Sequence, residues 1–491
     1  MEFGRFKTTY PIEEPYVYVT IVEDPTTREI KYTVIEPTLT DEDKKALRRI
    51  KEIFLEELDV DLMELNKEEA SKILENRVRK IVKDYKINVD EGQLKKILYF
   101  LKRDFLGFER IDPLMKDHYV EDISCDGVKI PIYIWHREYE SIKTNIVYED
   151  EEELNRFVTR LAYLCGKHIS IAQPILDASL PDGSRVNATY GSEISRRGTT
   201  FTIRRFRADP LTIIDLIQFG TISIDLAAYL WFIIENKRSI LISGETASGK
   251  TTMLNCTSMF IRPDMKIVSI EETPELNLPH TNWVPMVTRT GFGRKDADIS
   301  LFDLLKNALR QRPDYIIVGE IRGAEAYTLF QALATGHGIQ ATIHAESIEK
   351  VIDRLTSPPM NIPKSMVELL DVILIQGRVR IGDRPARRTL YLAEIKGYDR
   401  DRGEITFNYF ARWDPFEDHH IIEKNSIVLD RISEQRGITP QKIIDEINRR
   451  KHVLSWMVKK GMRRYTEIGS VLREYYADSE SLFKRAMVEI I

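Results

Sequence analysis

The sequence predicts an α/β protein with a mostly parallel sheet in its C-terminal half, preceded by helices and a small α+β region. Three observations support this prediction. From residue 223 onward, short apolar segments alternate with helical ones, as in a parallel sheet covered on both faces. One such segment, "SILIS", leads directly into a glycine-rich loop and a helix. With 491 residues, the chain is also too long for one compact core.

Changes in sequence pattern divide the chain into four predicted regions. Residues 1–110 contain N-terminal strands and then charged helices, which we interpret as a docking region; their apolar face could contact a partner or pack on neighbouring helices. Residues 111–206 carry short β-rich pieces separated by turns, typical of a small α+β domain. Residues 207–222 contain proline and glycine and are expected to be a linker. Residues 223–491 would form the α/β domain and its C-terminal helices.

The charge balance argues against a general nucleic-acid-binding surface. The chain has 72 basic and 77 acidic residues, which gives a net charge of −5. One dense basic stretch, residues 449–464, contains no acidic residue. It could dock on an anionic surface or form a solvated helix face, and the sequence leaves both possibilities open.

The sequence predicts neither a disulfide framework nor a membrane span. The three cysteines, Cys125, Cys165 and Cys256, have unrelated spacings and suit a reducing cytoplasm. The first residues, "MEFGRFKTTYPIEEP", lack the apolar run of a secretory signal. The most apolar stretch, residues 226–234, is about half as long as the roughly 20 residues that span a membrane. We therefore expect a cytoplasmic protein.

The glycine-rich loop "GETASGKT" is a complete phosphate-binding (Walker A) motif between an apolar strand and a helix. Its backbone N–H groups can surround phosphate oxygens at the positive end of the helix. Lys250 would reach the β- and γ-phosphates of ATP, and the Thr251 hydroxyl would bind Mg²⁺. The predicted ATP-binding residues are Gly244, Glu245, Thr246, Ala247, Ser248, Gly249, Lys250, Thr251 and Thr252.

Two later apolar strands each end in a carboxylate. Glu271 ends one strand, and Glu320 follows the other after a glycine. The carboxyl ends of parallel strands meet at one edge of a sheet, so both side chains should lie near the phosphate loop and could orient an attacking water. Since Gly319 precedes Glu320 where many such enzymes have an aspartate, we expect Glu320 to hold Mg²⁺ through a water or to polarise the nucleophile. The nearby Glu272 and Glu275 remain open candidates.

Two histidines flank the next predicted strand, "IQATI". His344 follows that strand and should lie at the same edge as Lys250, whereas His337 lies at its opposite end, after a helix. The strand separates them by roughly 16 Å, which excludes a shared metal ion. His344 is thus a candidate sensor of the γ-phosphate. His337 could face a neighbouring domain or subunit, or simply stabilise the helix C-terminus.

These motifs resemble those of the type II/type IV secretion ATPases, the hexameric motors of pili, archaella and secretion systems. The resemblance covers about residues 111–400. Besides the Walker A motif it includes an acidic box at Ile267–Leu276, a Walker B motif at Leu309–Gly323 and a histidine box at Thr335–Ala345. Upstream, "SLPDGSRVN" and "TIRRF" are similar to N-terminal-domain segments that supply arginines to the nucleotide.

The resemblance implies a RecA-like P-loop ATPase domain preceded by a small α+β (PAS-like) domain, with ATP and Mg²⁺ as ligands. It implies a catalytic set that comprises the general base Glu271, the Walker B residue Glu320, His344, and the arginines Arg185, Arg204 and Arg205. It further implies that Arg322 and His337 are sensor or interface residues. The implied partners are five further copies of the chain in a homo-hexamer and a polytopic membrane platform protein, without nucleic acid. The protein would contact the cytoplasmic face of the membrane only peripherally.

Some departures from the motifs of bacterial members narrow the resemblance to archaeal members of the family. Gly323 stands where bacterial pilus-assembly members usually have an aspartate, and three scattered cysteines cannot form their tetracysteine zinc site. The sequence thus favours a motor that assembles or secretes pilin-like subunits, without choosing between pilus, archaellum and secretion. Two alternatives stay open: a RecA-like ATPase that depends on nucleic acid, and a nucleotide-gated scaffold with little hydrolysis.

Overall fold

The computed structural model describes residues 5–57, 66–206, 210–289, 298–382 and 384–490. The chain forms two compact units, Met1–Phe206 and Arg207–Ile491. Each unit has its own sheet. None of the described helices is both long enough and apolar enough to cross a membrane.

The first unit combines strands and helices along its whole length. In chain order its elements are β1 (Arg5–Glu13), β2 (Val17–Glu23), β3 (Ile30–Ile35), α1 (Asp41–Glu56), α2 (Lys67–Asp84), α3 (Glu91–Phe105), a 3-10 turn (Glu109–Ile111), α4 (Asp112–Lys116), β4 (Val120–Cys125), β5 (Pro131–His136), β6 (Glu140–Val147), α5 (Glu151–Leu164), β7 (Ile175–Ser179), β8 (Arg185–Thr189) and β9 (Thr200–Arg204).

One sheet runs through this unit in the order β1-β2-β3-β6-β5-β4-β9-β8-β7. The N-terminal strands therefore continue the sheet of residues 120–204, whereas the sequence suggested separate regions 1–110 and 111–206. The junction is a parallel pairing of β3 with β6, in which Tyr32 lies opposite Thr144. Backbone pairing across more than a hundred residues leaves no trace in local periodicity, which is why the sequence pattern did not reveal it.

Helices α1, α2 and α3 pack on one another. Their apolar positions, among them Ile50, Phe54, Leu74 and Ile97, form one buried cluster. Thr40 begins α1 with a capping box, because its hydroxyl accepts from the Asp43 N–H while the Asp43 carboxylate accepts from the Thr40 N–H. The apolar face predicted for these helices thus packs on the neighbouring helices.

The second unit alternates strands and helices and then ends in helices. Its elements are α6 (Ile213–Gln218), α7 (Ile224–Glu235), β10 (Ile240–Gly244), α8 (Lys250–Ser258), β11 (Ile267–Glu271), β12 (Trp283–Val287), α9 (Leu301–Leu309), β13 (Tyr315–Val318), α10 (Glu325–Ala334), β14 (Gly338–Ile343), α11 (Ile348–Thr356), α12 (Lys364–Val367), β15 (Val372–Ile381), β16 (Arg384–Asp399), β17 (Glu404–Asp414), β18 (His419–Ile422), α13 (Ile427–Arg436), α14 (Pro440–Lys460), α15 (Tyr465–Ala477) and α16 (Ser479–Ile490).

Its sheet has the order β12-β11-β13-β14-β10-β15-β16-β17-β18. The strands from β12 to β15 in that order are mutually parallel, and β16, β17 and β18 continue the sheet antiparallel. Successive residues of β10 face opposite layers: Ile242 packs with α7 and α8, and Leu241 packs with α9, α10 and α11. The predicted α/β class with a mostly parallel sheet is confirmed.

The segment predicted as a linker at 207–222 is partly helical. Thr212 begins α6 with a capping box to Asp215, and Ile213 and Ile214 are buried in the core of the second unit. Proline and glycine here mark the ends of a short helix instead of a flexible connection. The linker is therefore shorter than the sequence suggested.

The basic stretch 449–464 is largely neutralised by ion pairs, most of them with acidic residues from other elements. The ion pairs are Arg449–Glu446, Arg450–Glu235, Lys451–Asp225, Lys460–Glu489 and Arg463–Asp215. All but the first join residues that are distant in sequence, so the local pattern could not reveal them. The hypothesis that this stretch docks on an anionic surface loses most of its support, because so little unpaired charge remains.

Arg450 joins the C-terminal helices to α7. Its side chain is only 2% exposed, and its guanidinium lies 5.5 Å from the ring centroid of Trp231 and 5.1 Å from that of Tyr475. It pairs with Glu235 on α7 and with Glu446 one turn earlier on α14. A buried cation with two carboxylates and two aromatic faces fixes how α14 packs on α7.

We expect Arg450→Ala to lower the free energy of unfolding by roughly 3 to 5 kcal/mol, since Glu235, whose side chain is only 14% exposed, would be left without its cation. Urea unfolding followed by circular dichroism measures this loss. Arg449→Ala is the matched control, because that side chain is 32% exposed and its removal should cost less than about 1 kcal/mol. Equal losses in the two variants would contradict the role of Arg450.

Candidate functional site

The phosphate loop joins β10 to α8, and its backbone conformation requires glycine at two positions. Gly244 has φ 151°, and a Cβ there would lie 2.2 Å from the Gln376 carbonyl oxygen. Gly249 has φ 91° and immediately precedes α8. Ala247 is also left-handed, with φ 61°. The loop thereby turns its backbone around the positive end of α8, where an anion is stabilised.

Lys250 is 7% exposed, and its ammonium group is held at the loop. Nζ donates to the carbonyl oxygens of Gly244 and Glu245, at 3.0 and 2.6 Å. It also lies 3.3 Å from Nδ1 of His344. An entering phosphate would take over bonds that these carbonyls now accept, so the charge is positioned before any ligand arrives.

His344 connects Lys250 to Glu320. Its Nε2 lies 3.3 Å from Oε1 of Glu320. An ammonium group can only donate, so Nδ1 of His344 accepts from Lys250 and Nε2 carries the proton that faces Glu320. Burial and the Lys250 charge lower the pKa of His344, which favours this neutral form. We call these three residues the Lys–His–Glu chain.

Arg322 orients the carboxylate of Glu320. Its Nε and Nη2 donate to the two carboxylate oxygens, each at 2.7 Å. Burial alone would raise the pKa of Glu320, but the Arg322 hydrogen bonds and the positive charges of Arg322 and Lys250 outweigh it and lower that pKa. Arg322 also lies 3.4 Å from Glu272. Glu320 is thus an ionised carboxylate held in a fixed orientation.

Glu271, at the end of the adjacent strand β11, has the opposite electrostatic environment. It is 3% exposed, and its Oε1 accepts from the N–H groups of Glu275 and Leu276 at 2.9 and 3.2 Å. Burial outweighs these bonds and raises the pKa of Glu271 to about 7. A Cβ at Gly319 would lie 3.3 Å from Cγ of Glu271, so this close packing explains why glycine precedes Glu320.

The residues around the loop are compatible with Mg²⁺ bound through few protein ligands. Thr251 and Thr252 are half-buried in the first turn of α8. Both oxygens of Glu320 already accept from Arg322, which suits a bond to the metal through water. Within the described ranges no group of three His, Cys, Asp or Glu side chains could hold a metal. Mg²⁺ that is bound mainly by phosphate and water needs no such group.

His337 lies at the opposite end of β14 from His344. Its Nδ1 is 3.1 Å from the Ala332 carbonyl oxygen and 3.0 Å from the Thr335 hydroxyl, both near the end of α10. Since a carbonyl can only accept, Nδ1 carries the proton there. The two histidines therefore occupy separate environments, as their spacing predicted, and share no site.

The three arginines predicted from the first unit have different surroundings. Arg185 and Arg204 are exposed and lie opposite each other on β8 and β9. Arg185 pairs with Asp177 at 2.9 Å. Arg205 instead donates to backbone carbonyls at the start of β4, including that of Val120 at 3.0 Å. Arg185 and Arg204 thus share one sheet face, whereas Arg205 stabilises the fold of the first unit through its bonds to the backbone.

The motifs did not indicate Arg387, which also contacts the phosphate loop. Its Nε donates to the Ala247 carbonyl oxygen at 3.0 Å from β16. It lies outside all four motifs and 140 residues from Ala247 in sequence. Nothing in the local sequence distinguishes it from the neighbouring Arg384 and Arg388, and only the antiparallel extension of the sheet brings it to the loop.

This chain is similar to one protein family and to several known proteins. The family described as "Type II/IV secretion system protein" matches residues 109–399. An uncharacterized protein of Methanocaldococcus jannaschii is 37% identical over 490 residues, which covers 95% of this chain and 88% of that protein. The type IV secretion system protein PtlH of Bordetella pertussis is 30% identical over 276 residues, 49% of this chain and 80% of PtlH. The VirB11 ATPase structure from the Brucella suis type IV secretion system is 24% identical with a TM-score of 0.29, over 56% of this chain and 90% of that one.

The raised pKa of Glu271 predicts a pH-dependent effect of Glu271→Gln on stability. A carboxyl whose pKa is higher in the folded protein favours folding while it is protonated, and that contribution is lost as pH rises from 4.5 to about 7. The variant should therefore gain up to roughly 3 kcal/mol over the unaltered chain at pH 8, and little at pH 5. Unfolding midpoints at the two pH values measure this gain. The exposed Glu346→Gln is the control, and a gain that does not change with pH would contradict the assignment.

Proposed function

Because the chain belongs to the type II/IV secretion system protein family, we propose that it is an ATP-hydrolysing motor of a secretion or pilus machine. The observation that carries this proposal is the Lys–His–Glu chain at the carboxyl edge of the parallel sheet. A phosphate-binding loop and an oriented carboxylate that can position water are parts that hydrolysis of a terminal phosphate uses, and His344 lies between them. A site that only binds nucleotide needs the loop but neither the histidine nor the carboxylate.

The loop and Lys250 would bind the phosphates of ATP. Backbone N–H groups between Gly244 and Lys250 can donate to the β-phosphate, and the Lys250 ammonium can exchange its two carbonyl acceptors for β- and γ-oxygens. Mg²⁺, held by Thr251 and through water by Glu320, would neutralise charge on those oxygens.

Glu271 is the better candidate for the general base. A base works best with a pKa near the working pH, and burial raises the pKa of Glu271 to about 7. Both backbone bonds to Glu271 end on Oε1, which leaves Oε2 to accept a proton from the attacking water. Glu320 has a lowered pKa and both oxygens engaged by Arg322, which suits it to orient water instead of accepting a proton.

His344 and the arginines would report the state of the nucleotide. The Nε2–H of His344 faces Glu320 and can turn to donate to a γ-phosphate oxygen, a bond that is lost once phosphate leaves. Arg185 and Arg204 share one exposed face and could stabilise charge on that phosphate. Arg322 and His337 would transmit the loss of the γ-phosphate to a neighbouring domain or subunit.

We further propose a homo-hexamer that contacts a polytopic membrane platform protein at the cytoplasmic face of a membrane. Hydrolysis would drive pilin-like subunits into or out of a filament, such as a pilus or an archaellum. Family membership supports this proposal, and so does the similarity to PtlH, a type IV secretion system protein. The paired charges of residues 449–464 argue against a nucleic-acid partner.

Steady-state hydrolysis tests the two carboxylates directly. We expect Glu271→Gln to lower kcat by a factor of roughly 100 to 10,000 with nearly unchanged ATP affinity, because only the proton acceptor is lost. Glu320→Gln should also lower kcat, because the attacking water would no longer be held in the correct orientation. Glu346→Gln, an exposed carboxylate two residues after His344, is the matched control and should turn over normally.

The same assay separates the alternatives. Full turnover in Glu271→Gln would refute its role as base. Salt-sensitive stimulation by single-stranded DNA would favour a nucleic-acid-dependent ATPase. Tight ATP binding by the unaltered chain, with turnover no faster than in Glu271→Gln, would favour a nucleotide-gated scaffold.

A further inference from the structure

We propose that Arg387 is a further nucleotide-binding residue, which contacts the diphosphate part of the nucleotide from β16. The proposal rests on the function proposed above, since it requires that the loop binds a nucleoside di- or triphosphate. It adds a residue outside every motif of the sequence.

Arg387 lies directly on the turn of the phosphate loop. Its Nε donates to the Ala247 carbonyl oxygen at 3.0 Å, and its Cδ would lie 3.3 Å from a Cβ built on Gly249. The aliphatic part of the side chain therefore covers Gly249 while the guanidinium reaches Ala247. Both loop residues have positive φ, so Arg387 contacts the left-handed part of the loop.

The guanidinium keeps capacity for an anion. A guanidinium has five N–H donors, and the bond to Ala247 uses one of them. In the part of the chain that the structure describes, no carboxylate forms an ion pair with Arg387, although its neighbour Arg388 is fully paired. The side chain is exposed at the loop, so its remaining donors are accessible to a ligand.

The backbone that carries Arg387 is held in place. Arg388 is buried and donates to both carboxylate oxygens of Asp418, at 2.7 and 2.8 Å, and to the Phe219 carbonyl oxygen at 2.9 Å. The next residue, Thr389, accepts from the buried Gln376 side chain at 2.8 Å. Gln376 in turn lies beside Gly244 at the start of the loop. Because the backbone at Arg387 is held in this way, only its side chain has to be ordered when it binds a ligand.

Sheet order indicates which part of the nucleotide Arg387 would contact. Glu320 and His344 follow β13 and β14, which lie on one side of β10, whereas β15 and β16 lie on the other side. A triphosphate whose terminal group meets His344 and Glu320 would extend its α- and β-phosphates toward the side of Arg387. The contact is therefore with the part that ADP retains. ATP and ADP should depend on Arg387 equally.

Equilibrium binding of ATP and ADP to the full-length chain tests this inference. We expect Arg387→Ala to weaken both nucleotides by roughly tenfold or more, with an unchanged ATP-to-ADP affinity ratio. KM for ATP should rise while kcat at saturation stays nearly constant, as for a contact equal in the ground and transition states. Arg380→Ala is the matched control, because that exposed arginine lies on the same hairpin and should bind both nucleotides normally.

Two further substitutions separate a phosphate contact from a brace of the loop. Arg387→Lys keeps the charge and should restore part of the ADP affinity, whereas Arg387→Gln keeps an N–H donor for Ala247 and should not. The proposal would be overturned if Arg387→Gln restored ADP affinity and Arg387→Lys did not. It would also be overturned if the ADP affinity of Arg387→Ala lay within twofold of that of the unaltered chain. If the unaltered chain binds no ADP, the proposed function itself fails, a different outcome from failure of Arg387.

Discussion

The chain of contacts from Lys250 through His344 to Glu320 is the interaction on which the rest of the site depends. It joins three parts of the sequence that are 24 to 94 residues apart, and it closes because β10, β14 and β13 are parallel neighbours in register. Those strands are buried on both faces, so a shift of one strand would move its apolar residues out of the core. The packing of the sheet thereby fixes the polar geometry at its edge.

The two carboxylates at this edge show how the same side chain gains different properties from its surroundings. Glu320 is half-buried, which would raise its pKa, but the hydrogen bonds and charge of Arg322 and the charge of Lys250 lower it. Glu271 is fully buried one strand away with only backbone donors, and burial raises its pKa to about 7. The difference between the two pKa values depends on Gly319, whose missing side chain leaves room for Glu271 to pack tightly. Divergent pKa values at neighbouring acids are a common basis for separate catalytic roles.

The sequence predicted much of this site and little of what surrounds it. Lys250, Glu271, Glu320 and His344 each follow an apolar segment, and strand order alone brings such positions to one edge. Arg387 reaches the loop through antiparallel strands whose register local periodicity does not specify. The ion pairs of residues 449–464 and the pairing of β3 with β6 likewise join distant parts of the chain. Short-range patterns reveal strand ends and caps, whereas contacts between distant charged side chains emerge only from the packed fold.

We infer that the Lys–His–Glu chain responds to the γ-phosphate through His344. The ATP-to-ADP affinity ratio of His344→Ala tests it most directly, with His337→Ala as control, because that histidine lies at the opposite end of β14. We expect His344→Ala to lower the ratio by roughly tenfold through weaker ATP binding, while the ADP affinity of this variant and the ratio of the control stay unchanged. A ratio equal to that of the unaltered chain would contradict it.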